Sequence, residues 1–239
     1  MKAAVVVFPG SNCDADTLYV LKDLLGIDAR YVWHGENSLH ESTDLVVLPG
    51  GFSHGDYLRT GAMAARAPIM TAVRNHAAYG KPVLGICNGF QILLEAGLLP
   101  GAMLPNTSTQ FRCEWVHIRV ESLETPFSST CRPEQVLRLP IAHGEGNYVI
   151  DHDGLSELQD QERIVYRYAT AEGVDSPDAN PNGSMDNIAG ICSSDRNVVG
   201  MMPHPERVFR TLCNSWHPDY WGEHSPWLRL FQNARVFAA

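Results

Sequence analysis

The chain has 239 residues, of which 44% are hydrophobic and 19% are charged, and its formal net charge at pH 7 is -9. A chain of this length and composition can bury one substantial core, so a single domain is the simplest interpretation. The negative charge and the absence of a run of Lys and Arg argue against a nucleic acid partner.

The first hundred residues alternate short apolar segments with segments of helical spacing. The segment Ala3–Phe8 is apolar at consecutive positions, which is typical of a central parallel strand covered on both faces. Alternating strands and helices predict a mostly parallel α/β sheet flanked by helices. The predicted strands are Ala3–Phe8, Ala29–Trp33, Leu45–Leu48 and Pro82–Ile86, and the predicted helices are Asp14–Leu25, Ile69–Tyr79 and Asn88–Ala96.

After Gly101 the sequence changes to shorter strand-like pieces. We expect these pieces to extend the sheet or to form a smaller antiparallel layer. The segment Asp175–Asp186 has the composition of a loop. The predicted strands of this part are Val116–Val120, Ile164–Tyr168, Ile188–Cys192 and Val198–Met202.

The six cysteines are scattered, with neither a C-x-x-C pair nor a Cys/His spacing of the zinc-site type. This pattern predicts reduced thiols and no metal site, as is usual in the cytoplasm. The apolar run at the N-terminus is too short for a signal peptide, and no later segment is long enough to span a membrane. We therefore expect a cytoplasmic protein without a membrane partner.

The most informative stretch is Lys81–Leu94, in which an apolar strand runs into Gly85-Ile86-Cys87-Asn88-Gly89 and then into an apolar helix. G-x-C-x-G in the order strand, turn, helix is the thiol counterpart of the nucleophile elbow. A thiol at a helix N-terminus sees the positive end of the helix dipole, which favours the reactive thiolate. Taken alone, the motif leaves open that Cys87 is an ordinary buried thiol.

A base for this thiol is offered by His204 and Glu206, which follow the strand-like segment Val198–Met202. Residues two apart in an extended chain point the same way, so Glu206 can orient His204 toward Cys87. An isolated H-P-E is more often a surface turn, but its combination with the elbow predicts a Cys-His-Glu triad. The backbone N–H groups of Asn88 and Gly51 are the candidate oxyanion donors.

These motifs resemble those of class I (triad-type) glutamine amidotransferases, and the match runs from about Ala3 to Arg207. The resemblance implies a flavodoxin-like fold with residues 1–207 as the amidotransferase domain and 208–239 as a C-terminal tail packed on it. Three tryptophans, Trp216, Trp221 and Trp227, lie in that tail. The motifs that carry the resemblance are Phe8–Asp14, Pro49–Arg59, Gly85–Gln91, Pro140–Tyr148, Asn180–Ser184 and Met202–Arg207.

The resemblance also implies an activity, which is hydrolysis of the L-glutamine side-chain amide through a thioester on Cys87. Gln91 would contact the bound glutamine, and the segment Ala142–Tyr148 would lie near the site. The members it matches best serve purine biosynthesis, which implies a separate synthase subunit and a small third subunit as partners. ATP and Mg²⁺ would be used by the synthase, since this chain has no G-x-x-x-x-G-K-[ST] loop and needs no cofactor of its own.

Two other interpretations of the sequence stay open. One is a stand-alone cysteine hydrolase or peptidase of related fold, and the other is a binding module that has lost catalysis. Asn88 stands after the nucleophile where many such hydrolases have a histidine, which disfavours the first. A complete triad disfavours the second.

Overall fold

The structure is a computed structural model that describes residues 1–208 and 228–237. Eleven strands occur in these residues. They are β1 (Lys2–Val7), β2 (Asp28–Trp33), β3 (Leu45–Leu48), β4 (Val83–Ile86), β5 (Ala102–Leu104), β6 (Arg112–Val120), β7 (Val136–His143), β8 (Asn147–Val149), β9 (Ile164–Ala169), β10 (Ile188–Cys192) and β11 (Val198–Met201).

Five α-helices accompany these strands in the described part of the chain. They are α1 (Asp14–Tyr19), α2 (Ile69–Ala78), α3 (Asn88–Glu95), α4 (His152–Asp160) and α5 (Arg229–Phe237). A π-helical segment, Val20–Leu24, continues α1. Short 3-10 turns are Ser53–Asp56, Ala64–Arg66, Pro177–Ala179, Met185–Asn187 and Pro205–Arg207.

Nine of the strands form one sheet in the order β2-β1-β3-β4-β11-β10-β9-β6-β7. Neighbouring strands from β2 to β11 are parallel, and those from β11 to β7 are antiparallel. Strands β5 and β8 form a separate antiparallel pair. This arrangement confirms the predicted α/β fold with a smaller antiparallel extension.

The parallel strands owe their central position to their side chains. All four residues of β3, β4 and β11 are buried, because helices cover both faces of this part of the sheet. The carboxyl ends of β1, β3, β4 and β11 therefore lie side by side at one edge. In open parallel sheets this edge is where ligands bind.

The predicted helix Asp14–Leu25 differs from the structure in its second half. Its last turn is π-helical, with the N–H of Leu25 donating to the carbonyl of Val20 at 3.1 Å. The wider turn changes which side chains face the core. As a result Val20 and Leu21 are buried, whereas Leu24 is exposed.

The tail contributes one element to the described residues. Helix α5 buries Leu230, Phe231 and Ala234. The Asn233 side chain is also buried, where its Nδ2 donates to the carbonyl of Phe127 at 2.9 Å and its Oδ1 accepts from the backbone N–H of Thr130 at 3.1 Å. This helix thus packs against the loop that precedes β7. The rest of the predicted tail, including Trp216, Trp221 and Trp227, lies outside the described residues.

Candidate active site

Cys87 stands at the sharp turn between β4 and α3. Its backbone has φ 50° and ψ -106°, a left-handed conformation that non-glycine residues rarely adopt. The turn is fixed because the Cys87 N–H donates to the carbonyl of Met201 at 2.7 Å, at the end of the neighbouring strand β11. A strained residue of this kind is typical of functional sites.

Two glycines make this turn possible. A Cβ on Gly89 would lie 1.9 Å from the carbonyl oxygen of Leu48, and one on Gly85 would lie 2.6 Å from the carbonyl oxygen of Gly89. Neither position has room for a side chain. The spacing G-x-C-x-G therefore reflects close packing of α3 onto β3 and β4, which places Cys87 at the N-terminus of the helix.

His204 and Glu206 follow β11, which neighbours β4 in the sheet. The Nδ1 atom of His204 lies 2.6 Å from Oε1 of Glu206, and both side chains are buried, with exposures of 1% and 0%. The backbone N–H of His204 donates to the carbonyl of Pro140 at 2.9 Å. Strand β7, which the sequence did not reveal, therefore holds the histidine in place.

The electrostatics of His204 suit a base that works on a thiol. Burial alone would lower the pKa of His204, but the Glu206 carboxylate and the interaction with Cys87 outweigh it and raise that pKa well above its usual value. The Nε2 atom is buried and makes no hydrogen bond of regular geometry within the described residues. It is therefore available to take or give a proton at the thiol and its reaction partners.

A second thiol, that of Cys13, interacts with the same histidine, His204. Cys13 follows β1 and is buried, and burial raises the pKa of its thiol. One donor atom each of Cys13, His204 and Glu206 lies within 4.8 Å of the others, so these three residues could in principle hold a metal ion. Because Nδ1 of His204 is already bonded to Glu206, we interpret the group as a triad with a neutral thiol beside it.

The two candidate oxyanion donors belong to Asn88, which follows Cys87 in the chain, and to Gly51, which lines the same cavity as Cys87. Asn88 is the first residue of α3, so its N–H has no acceptor in a preceding helical turn. Gly51 follows β3 with φ 144°, and a Cβ there would lie 2.7 Å from the backbone nitrogen of Asn12. The neighbouring Phe52 N–H donates to the carbonyl of Gly10 at 3.0 Å, which ties this turn to β1.

Gln91 links the elbow to the segment after β7. Its Oε1 accepts from Nδ2 of Asn88 at 2.9 Å, and its Nε2 donates to the carbonyl of Glu145 at 2.6 Å. The Oδ1 of Asn88 accepts in turn from the N–H of Ser53 at 3.1 Å. The side chains of Gln91 and Asn88 thus connect α3 to the turn after β7 and to the loop after β3, and a second N–H of the Gln91 amide is left for a ligand.

A cavity of about 130 Å³ opens at this edge of the sheet. Cys87, Gly51 and Gln91 line it, whereas His204 and Glu206 are more deeply buried and do not. Three further residues in its wall were given no individual role from the sequence, although two of them belong to Ala142–Tyr148, the segment that the resemblance implied was near the site. They are Asp56, His143 and Glu145.

None of the helices that the structure describes is long and apolar enough to cross a membrane.

Comparison with known proteins agrees with this geometry. Residues 1–238 match the family of CobB/CobQ-like glutamine amidotransferase domains. The chain is 53% identical to the phosphoribosylformylglycinamidine synthase subunit PurQ of Methanosarcina acetivorans. The aligned 215 residues cover 90% of this chain and 92% of that protein. This chain belongs to the PurQ family of glutamine amidotransferases. A second PurQ, from Moorella thermoacetica, is 56% identical over 207 residues, or 87% of each chain.

A solved structure is also similar to this chain. The structure of PurLQS from Thermotoga maritima contains a chain that superposes with a TM-score of 0.81 at 40% sequence identity, covering 100% of this chain and 99% of that chain. The family resemblance expected from the motifs is therefore confirmed. The two interpretations outside this family are disfavoured on the same ground.

Proposed function

We propose that this chain is the glutaminase subunit of phosphoribosylformylglycinamidine synthase, in which it releases ammonia from L-glutamine. One observation carries the proposal. In a chain of the PurQ family, a cysteine at a strained elbow lies beside a buried histidine that is bonded to a glutamate at 2.6 Å. This is the arrangement of nucleophile, base and orienting group that acyl transfer from an amide requires.

In the first half of the reaction, the Cys87 thiolate attacks the side-chain carbonyl carbon of glutamine. The N–H groups of Gly51 and Asn88 would stabilise the negative charge that develops on the oxygen. His204, held as imidazolium by Glu206, gives its proton to the nitrogen as the C–N bond breaks. The products of this half are ammonia and a glutamyl thioester on Cys87.

In the second half, His204 is neutral and acts as a base. It takes a proton from a water molecule, whose oxygen attacks the thioester carbon. The same two N–H groups serve the second oxyanion, and the C–S bond breaks to give glutamate and the Cys87 thiolate. One glutamine and one water are consumed for one glutamate and one ammonia.

Membership of the PurQ family supports a proposal for the partners, and the proposed reaction supplies the one for the cofactors. Ammonia would pass to the PurL subunit, which uses ATP and Mg²⁺ to convert formylglycinamide ribonucleotide into formylglycinamidine ribonucleotide, and PurS would be the small third subunit. A neighbour of known structure contains all three components by its name, PurLQS. Free thiols at Cys13, Cys87, Cys113, Cys131 and Cys192 support a reducing compartment, the cytoplasm, as the place of action.

The test is a reconstitution with purified subunits. The chain, PurL and PurS should together convert formylglycinamide ribonucleotide with glutamine as nitrogen donor, and glutamate should form in equal amount. Peptide amides should not be cleaved, which separates an amidotransferase from a cysteine peptidase. Failure to release ammonia from glutamine in the complete complex would contradict the proposal.

A further inference from the structure

Two carboxylates face the cavity that contains Cys87. Asp56 lies in the loop after β3, and Glu145 lies in the turn after β7. Glu145 is fixed by two contacts, since its Oε2 accepts from Oγ1 of Thr60 at 3.0 Å and its carbonyl accepts from Nε2 of Gln91 at 2.6 Å. The Oδ1 atom of Asp56 is buried and has no hydrogen-bond partner among the described residues.

This carboxylate pair lacks a protein cation. No lysine or arginine lines the cavity within the described part of the chain. The nearest arginine in sequence, Arg59, is turned away, because its guanidinium makes two hydrogen bonds to Glu95 at 2.5 and 2.6 Å. Burial and the neighbouring Glu145 raise the pKa of Asp56 to about 6, as expected where two like charges face each other without a counter-ion.

His143 provides independent evidence that a hydrogen-bond donor binds in this cavity. Its side chain is 3% exposed and lines the same cavity. Asn106 fixes its tautomer: Nδ2 of Asn106 donates to the carbonyl of His143 at 2.9 Å, so its Oδ1 is an acceptor, and Nδ1 of His143 must donate to it at 3.1 Å. Burial, together with His204, lowers the pKa of His143 to about 3, so the ring is neutral.

The remaining ring nitrogen of His143 is therefore an acceptor. This Nε2 atom is buried and has no partner among the described residues. Asp56, Glu145 and His143 thus offer acceptors to one small cavity. A ligand with several N–H donors, at least one of them on a cationic group, would satisfy them.

We propose that Asp56 and Glu145 bind the α-ammonium group of the glutamine substrate and so determine which primary amides reach Cys87. The inference rests on the proposed function and names the residues that select its substrate. An ammonium group has three donors, enough for both carboxylates, and it supplies the charge that the cavity lacks. Fixing the α-carbon end of glutamine orients its side-chain amide toward the thiol.

The test compares two substrates that differ only in this group. Glutaramate has the same side-chain amide and carboxylate as glutamine but no α-amino group. With the reconstituted complex, Asp56→Asn should lower kcat/KM for glutamine roughly 10- to 100-fold, the usual effect of losing a hydrogen bond to a charged group. The same variant should leave kcat/KM for glutaramate unchanged, so the preference for glutamine falls by that factor.

Glu145→Gln should likewise lower kcat/KM for glutamine and leave kcat/KM for glutaramate unchanged. It takes the place of Asp56→Asn if Asp56→Asn is unstable. The control is Asp153→Asn, which removes a carboxylate from a fully exposed side chain on α4. This variant should leave kcat/KM unchanged for both glutamine and glutaramate. Inhibition of glutamine hydrolysis by glutaramate gives a second measurement if its turnover is too slow, and its inhibition constant should not change in either variant.

Each result has a distinct meaning. An equal loss on both substrates would overturn the inference, because the carboxylates would then act on the amide chemistry or on the fold. No loss on either would overturn it as well. If the wild-type complex releases no ammonia from glutamine, the proposed function fails instead, and the two failures are thereby distinguished.

Discussion

At the scale of single residues, the site is built around one imidazole. His204 interacts with two thiols, Cys87 and Cys13, and with the carboxylate of Glu206. The thiols differ in their surroundings. Cys87 lies at a strained turn, at a helix N-terminus and in a cavity wall, whereas Cys13 is buried away from that cavity. Position rather than residue type therefore assigns their roles.

A pair of substitutions separates the acid–base group from its orienting partner. His204→Ala should cost nearly as much activity as removing the nucleophile, because it removes the imidazole that gives a proton to the leaving nitrogen and takes one from water. Glu206→Gln should cost roughly ten- to hundredfold less, since the new amide has no charge but its oxygen can still accept a hydrogen bond from the ring. Steady-state kcat for ammonia release measures both, and a larger loss in Glu206→Gln would reverse the assigned roles.

Asp56 gives a prediction for the pH profile. Its raised pKa of about 6 means that the carboxylate is protonated as the pH falls through that value. The cavity then loses a negative charge, so kcat/KM for glutamine should decrease as the pH is lowered through about 6. Because other groups of the site also respond to pH, the measurement is the difference between the profiles of wild type and Asp56→Asn. Identical profiles for the two would contradict an ionised Asp56 in the free enzyme.

At the scale of elements, the contact between α3 and β3 is tightest at Gly89. The Cβ of an alanine at this position would lie 1.9 Å from the carbonyl oxygen of Leu48, a clash that the backbone cannot easily avoid. We expect Gly89→Ala to lower the free energy of unfolding by at least about 2 kcal/mol. Urea titration measures this, with Gly144→Ala as the control because its Cβ would meet nothing closer than 3.8 Å. Equal stability of the two variants would contradict the packing described.

The parallel half of the fold was predictable from sequence because its strands are buried on both faces. The predicted bounds of β3 and the predicted first residue of α3 are the observed ones. The predicted bounds of β1 and β4 differ from the observed ones by at most one residue at either end. A continuous apolar run needs no partner information to be recognised. The thiol elbow combined with His204 and Glu206 predicted the triad, and the family resemblance added Gln91. The pairing of β4 with β11, which brings Cys87 near His204, was not predicted because it depends on contacts far apart in sequence.

The elements that were missed have physical reasons for their weak signals. Strand β7 contains Pro140, which argues against a strand, but β7 is at the edge of the sheet, where proline is tolerated. Helix α4 buries only Leu158, so its apolar pattern is weak, although the side chain of its N-cap Asp151 accepts from the Gly154 N–H at 2.7 Å. The segment after β7, Ala142–Tyr148, was expected near the site only through the family resemblance, and the sequence assigned no individual role to Glu145, which lines the cavity.

At the scale of the whole molecule, the loop from Gly50 to Gly61 joins the site to the surface. It contains Gly51 and Asp56, and three of its non-glycine residues, His54, Asp56 and Leu58, have positive φ. Leu58 is 90% exposed. Strain next to a catalytic cavity is a feature of segments that rearrange when a partner binds.

This loop motivates a prediction about coupling. A glutaminase that worked without its synthase would waste glutamine, so the free chain should be slow and the complex fast. If docking completes the oxyanion site at Gly51, the difference should be on the order of hundredfold. Glutamine turnover by the free chain, and by the complex with ATP and nucleotide bound, measures this. Equal turnover would refute gating by the partner.

The central claim is that Cys87, and not Cys13, the second thiol that interacts with His204, forms the glutamyl thioester. A chloroketone analogue of glutamine, applied to the complex, should alkylate Cys87, as peptide mass spectrometry would detect. Cys13→Ala should still be labelled at Cys87 and should still release ammonia, whereas Cys87→Ala should be folded, unlabelled and inactive. Labelling at Cys13, or glutaminase activity that survives in Cys87→Ala, would contradict the account.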